Sequence, residues 1–255
     1  MSGPRVGAVL VEACVDTVAS SRAAVRAGAR RLELCAALTD GGTTPSAGTI
    51  AAVAAAVDVP VVVLVRPRGG SFVHDAAELD VMRRDIVHAI EAGAAGVSLG
   101  VLAPDGTIDA DAMARCVEAA RGRPVTCHRA FDATPDPFAA LETLRTLGVA
   151  RILTSGGAPS AWEGATTLAA LVRAAGPTMT IIAGGGVRAG HVAALVRDAG
   201  VAEVHLWGAH TVHPMHDAAR PLPLRTPLPS DPRAWLESDE AGVRAVVQAL
   251  DALDP

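Results

Sequence analysis

Short β-branched runs alternate with longer Ala-rich runs along the whole chain. The first kind reads as buried strands and the second as amphipathic helices. Eight strands are predicted: Ala8–Cys14, Arg31–Cys35, Val61–Arg66, Gly96–Leu99, Val125–Arg129, Arg151–Thr154, Thr180–Ala183 and Glu203–Trp207. Helices are expected near Val18–Ala27, Ser46–Val57, Ala76–Ala92, Ala110–Arg121, Pro137–Leu147, Ser160–Ala174 and His191–Ala199, with a last one near Glu240–Leu253. Four helices end in a shared tag of a small or apolar residue, Gly and an apolar residue: Ala27-Gly28-Ala29, Ala92-Gly93-Ala94, Leu147-Gly148-Val149 and Ala199-Gly200-Val201. In each, glycine supplies a left-handed stop and the residue after it enters the next strand.

Repeated βα units of this kind build a parallel sheet. The choice lies between a closed TIM-type (βα)8 barrel and an open doubly wound sheet. The open sheet needs a glycine-rich turn after the first strand, and Val15-Asp16-Thr17 offers none. The expectation is therefore an α/β fold, one TIM barrel domain over residues 1–255. A Pro-, Arg- and His-rich excursion at about 211–232 follows the last strand, either closing over the mouth, making a subunit contact, or lying in solvent.

Composition narrows the function classes. Half of the residues are apolar and 19% are charged, enough for a large core, and Ala, Val and Leu suit a barrel interior filled in layers. A net charge of -5 and 2% aromatic residues argue against a nucleic-acid partner or an anionic membrane surface. There is no apolar run of membrane-spanning length, and the start of the chain lacks a signal-peptide pattern, so a cytoplasmic location is expected. All 22 basic residues are Arg, and without Lys a side-chain Schiff base is excluded. Cys14, Cys35, Cys116 and Cys127 form no CxxC pair, which fits a reducing compartment.

Alternation along strands then groups the candidate chemistry. Glu12 shares a face with Cys14, and Glu33 with Cys35. With Arg66, and Arg68 beyond it, these predict two carboxylates beside one cation, which gives either one raised carboxyl pKa or a buried ion network. His128 is expected to face inward as a general acid or base or a ligand of a soft metal, against the alternative of a hydrogen-bonded core histidine. Parity puts Thr126 and Asp132 with His128, and Cys127 and Arg129 on the other side, making Cys127 core. Gly184, Gly185 and Gly186 form a run where barrels often hold phosphate, with Ser155 of the preceding turn as a further donor. Cys14 and Cys35, on neighbouring strands, are either two thiolates able to hold Cu(I) or small buried hydrophobes. His210, His213 and His216 recur every three residues, but Pro214 interrupts any helix that would align them.

Several of these strings also resemble one family. Glu12-Ala13-Cys14-Val15-Asp16, Arg31-Leu32-Glu33-Leu34-Cys35, Gly41-Gly42-Thr43-Thr44-Pro45-Ser46, Val65-Arg66-Pro67-Arg68-Gly69-Gly70, His128-Arg129-Ala130-Phe131-Asp132, Arg151-Ile152-Leu153-Thr154-Ser155-Gly156 and Ala183-Gly184-Gly185-Gly186-Val187-Arg188 are similar to those of the CutC family, in order along most of the chain. The resemblance implies a cytosolic TIM barrel associated with copper homeostasis, with Cys14 and Cys35 at the positions of the suspected copper ligands. Two features depart from the family: Ser71 stands before Phe72 where an acid is common, and the segment after His205 differs. Three functions follow as expectations. One is Cu(I) handling by Cys14 and Cys35. Another is an enzyme for a small anionic or phosphorylated metabolite, with Glu12, Glu33, His128 and Arg66 catalytic and Arg68, Ser155 and Gly184–Gly186 holding the anion. A third is a barrel kept for partner binding, and a homo-oligomer, dimer first, is expected in any case.

Overall fold

The computed structural model describes residues 9–207, 209–212 and 235–253. Eight parallel strands close on themselves, β1 (Leu10–Val15), β2 (Arg31–Leu34), β3 (Val61–Leu64), β4 (Gly96–Leu99), β5 (Val125–Cys127), β6 (Arg151–Thr154), β7 (Thr180–Gly184) and β8 (Glu203–Leu206). The pairing of Leu10–Ala13 with Glu203–Leu206 joins the first strand to the last, which removes the open-sheet alternative. Around them run α1 (Val18–Arg26), α2 (Ala47–Ala56), α3 (Ala76–Glu91), α4 (Ala110–Ala119), α5 (Pro137–Thr146), α6 (Ala165–Ala175), α7 (Ala189–Ala199) and α8 (Glu240–Asp251). An antiparallel pair, β9 (Ala209–Val212) with β10 (Trp235–Ser238), links the barrel to α8. The predicted excursion begins inside β9, and its residues from 213 on lie outside the described residues, as do His213 and His216.

Local chemistry explains the helix ends. Ser46, Asp75, Asp109, Asp136 and Asp239 each accept a backbone N–H at a helix start, and Thr17 and Asp75 complete reciprocal capping boxes with Ser20 and Glu78. At the other end, all four tag glycines have positive φ. In three tags the following N–H reaches back five residues: Ala29 to Ala24, Ala94 to Ala89 and Val149 to Leu144. That bond satisfies an otherwise orphaned carbonyl and turns an apolar residue inward; Ala29, Ala94 and Val149 are all buried.

The apolar core is a shell between strands and helices, built from one parity of each strand, including Ala13, Leu32, Val63, Leu99, Ile152 and Val204. This corrects the expectation of an apolar, layered barrel interior. The opposite parity carries Glu12, Arg31, Glu33, Ser98, Thr126, Arg151, Glu203 and His205 among the apolar Val62, Leu153 and Ile182, with a small apolar cluster at Cys14, Cys35 and Leu64 inside the mouth. Cys116 and Cys127 belong to the outer shell.

Candidate functional site

Glu12 stands opposite Arg31 in the β1–β2 register and opposite His205 in the β8–β1 register. Its carboxylate accepts from Arg31 Nε and lies 2.8 Å from His205 Nδ1. Arg31 also donates to Glu203, which lies 3.6 Å from Arg151. These groups form a buried ion network across the barrel floor. Burial opposes ionisation of Glu12, but the hydrogen bonds and charges of His205 and Arg31 outweigh it and hold the carboxyl down at about 2. For His205 burial likewise opposes charge, and the hydrogen bonds to Cys14 and Glu12 with the charges of Glu33 and Glu12 hold it well above the usual histidine range.

Above the floor sits the thiol pair. The register places Cys14 opposite Glu33, so Cys35 lies diagonally above, and the two sulfurs meet at 3.6 Å. Glu33 Oε2 is 3.7 Å from Cys35 Sγ and 3.8 Å from His205 Nε2. Ligand atoms of Cys14, Glu33 and Cys35 all lie within 4.8 Å of one another. Of the two carboxyls, Glu33 has the raised pKa, through burial first. The sulfurs are pushed apart in acidity. The hydrogen bond from Cys35 lowers Cys14, while the same bond and burial raise Cys35 well above the ordinary thiol range. Of the two, Cys14 is the thiol that gives up its proton more readily.

A metal–sulfur bond is about 2.3 Å, so two sulfurs on one ion lie no more than about 4.6 Å apart. The 3.6 Å separation fits a single ion bridging both. Two sulfurs with one carboxyl oxygen form a soft donor set suited to Cu(I) or Zn(II), and poorly suited to Mg(II) or Ca(II).

Over the pair opens a pocket of about 290 Å³, to which Cys14, Cys35, Glu33, His205, Arg66 and His128 all contribute. His128 accepts the Ala130 N–H at Nδ1, 3.2 Å away, and its ring lies 5.1 Å from that of Phe72. Burial first, and then the charge of Arg66, bring it down to about 3. Arg66 is not the partner of the carboxylates. Its Nη1 donates to the carbonyls of Gly41 and Gly42 at 3.2 Å and its Nη2 to that of Gly70 at 2.7 Å, so it ties two loops together. The cation of the row is Arg31 instead. Arg31 and His205 were legible in the same alternation, as Arg31-x-Glu33-x-Cys35 and Glu203-x-His205, but Arg31 was read only as a strand start.

The expected anion set divides. Gly185 and Gly186 line the pocket. Gly184 ends β7 against Leu153, whose Cδ1 would lie 2.4 Å from any added Cβ. Arg68 stands away from the mouth, exposed, paired with Glu78 and with the carbonyls of Ser71 and Val73. Ser155 is engaged by Asp132, Ala158 and Arg129. Asp132 itself accepts from the N–H groups of Ser155 and Gly157 at 3.1 Å and from Thr154, so the strand-six turn is filled by the chain's own carboxylate. Arg129 reaches the mouth, against its strand parity, because β5 ends at Cys127 and a 3-10 turn over Arg129–Ala133 redirects it.

The CutC family model matches residues 9–210. The family protein CutC of Xanthomonas campestris pv. campestris is 45% identical over 240 residues, 94% of this chain and 98% of that protein. The copper homeostasis protein cutC homolog of Homo sapiens is 44% identical over 196 residues, 77% of this chain and 72% of that one. The crystal structure of a CutC protein from Streptococcus agalactiae superposes with a TM-score of 0.75 at 34% identity, covering 77% of this chain and 97% of that chain. The strings at Glu12–Asp16 and Arg31–Cys35, which build the thiol pair, fall inside the matched region, and the chain belongs to the CutC family.

Proposed function

We propose that this protein handles Cu(I) as cargo, coordinating it between Cys14 and Cys35 with Glu33 beside them. The observation that carries the reading is the 3.6 Å approach of two free, buried sulfurs at the open end of a closed barrel. Soft thiolates select Cu(I), and the hydrogen bond from Cys35 makes Cys14 the more readily deprotonated of the two thiols. The ion then displaces the proton of Cys35, since a ligating thiol is deprotonated. His205, held by Glu12, lies within reach of the sulfurs and offsets the negative charge gathered there. Relatives named for copper homeostasis point the same way. A reducing cytoplasm and a homodimer complete the proposal; four unpaired cysteines suit the first. Among the described residues no helix is long and apolar enough to cross a membrane.

The test is a Cu(I) competition titration of the purified chain against a chromogenic chelator under anaerobic, reducing conditions. Cys14→Ser with Cys35→Ser is expected to lower the affinity at least tenfold. Unchanged affinity in the double variant would sink the reading.

A further inference from the structure

Beside the thiol pair, the mouth presents hydrogen-bond donors that the protein leaves unsatisfied. His128 is buried, and its Nδ1–Cε1 edge lies against Gly100, where an added Cβ would come within 2.8 and 2.9 Å of those atoms. Because Nδ1 accepts the Ala130 N–H, the neutral ring carries its proton on Nε2. That Nε2 has no hydrogen-bond partner among the described residues. Arg66 is buried nearby; its Nη atoms are taken by loop carbonyls, yet its Nε is also unpartnered. Elsewhere on the same pocket, Gly185 and Gly186 turn through positive φ into the start of α7, which spans eleven residues. Among the described residues the N–H groups of Gly186 and Val187 make no hydrogen bond.

His128 Nε2 and Arg66 Nε are buried donors, and leaving buried donors unmade is costly. The neighbouring strand-six turn shows what such donors take: there Asp132 accepts two backbone N–H groups and two hydroxyls. Among the described residues no carboxylate accepts from the amides of the next turn, Gly186 and Val187.

We propose that the mouth binds the oxyanion group of a small organic acid or phosphate ester, held by His128 Nε2–H and Arg66 Nε–H and by the Gly186 and Val187 amides. A cavity of about 290 Å³ restricts the ligand to a few carbon atoms. The start of a helix adds its favourable dipole to those amides. The site does not depend on the thiols, so it stands or falls apart from the copper reading.

Calorimetric titration of the full chain with inorganic phosphate, glycerol 3-phosphate and malonate tests it. Saturable one-to-one binding of glycerol 3-phosphate assigns a phosphate ester, and of malonate a carboxylate; either supports the proposal. His128→Leu should weaken that binding by about tenfold or more, the worth of one hydrogen bond to a charged group. On the unaltered protein, the His128 Nε2 resonance should move on saturation, which gives a readout even if the variant fails to fold. No binding of the three probes, binding of inorganic phosphate only as an adventitious ion, or an unmoved His128 resonance overturns the proposal.

Discussion

Cys14 and Cys35 differ in acidity although they touch, and that difference is open to measurement. With Cys14 lowered by its hydrogen bond from Cys35, and Cys127 pushed up to about 12 by burial, alkylation at neutral pH should label Cys14 well before Cys127, as read by mass spectrometry of peptides. Equal labelling of the two would contradict the assigned difference in acidity. His128 yields a second expectation. Its folded pKa of about 3 lies below the ordinary histidine value, so between those two values the unfolded chain binds a proton that the native ring refuses. Its contribution to stability is therefore present above about pH 6.5 and is lost as pH falls toward 3. Histidine NMR should find the ring neutral at pH 5. At this scale strand alternation made Glu12, Cys14, Glu33, Cys35 and His128 legible, because a period of two needs no tertiary information. Arg66 and Arg68 were misplaced because both follow the end of β3, where the pleat no longer dictates direction.

The turn after β6 is held from outside by Asp132, which sits in the 3-10 turn following β5. Asp132→Ala removes the acceptor of the Ser155 and Gly157 amides and of Thr154. A loss of about 3 kcal/mol is expected in urea unfolding, since bonds to a charged acceptor are worth about 1.5–3 kcal/mol each and partly compensate when lost. Asp75→Ala, which removes only a helix cap, should cost about 1 kcal/mol. Elements were legible where glycine tags punctuate the chain, as at Gly28 and Gly148. They were less so where tertiary contacts decide: Ser160–Gly164 forms a turn rather than the predicted first turn of α6, with the Ala161 N–H bonded to the Gly185 carbonyl. Asp132 went unrecognised as a turn-builder because its partners lie more than 20 positions away.

For the molecule as a whole, closure followed from the rhythm of strands and helices and part of the polar interior from strand alternation, whereas the floor built by Arg31, Glu203 and His205 did not. The floor network makes that interior sensitive to single changes. Arg31→Met leaves Glu12 and Glu203 buried without their main cation and should cost about 3–5 kcal/mol of stability. Glu12 adds an acid limit. Its folded pKa of about 2 lies below the unfolded value, so its stabilisation is present above about pH 4.5 and disappears as pH falls through 2. The same floor has a consequence for traffic. With Glu12, Arg31 and Glu203 filling the barrel beneath the sulfurs, the site is a cul-de-sac approached from one side. For the Cu(I) cargo proposed above, donor and acceptor are expected to share that single doorway and exclude one another, so excess of either should slow hand-over to the other.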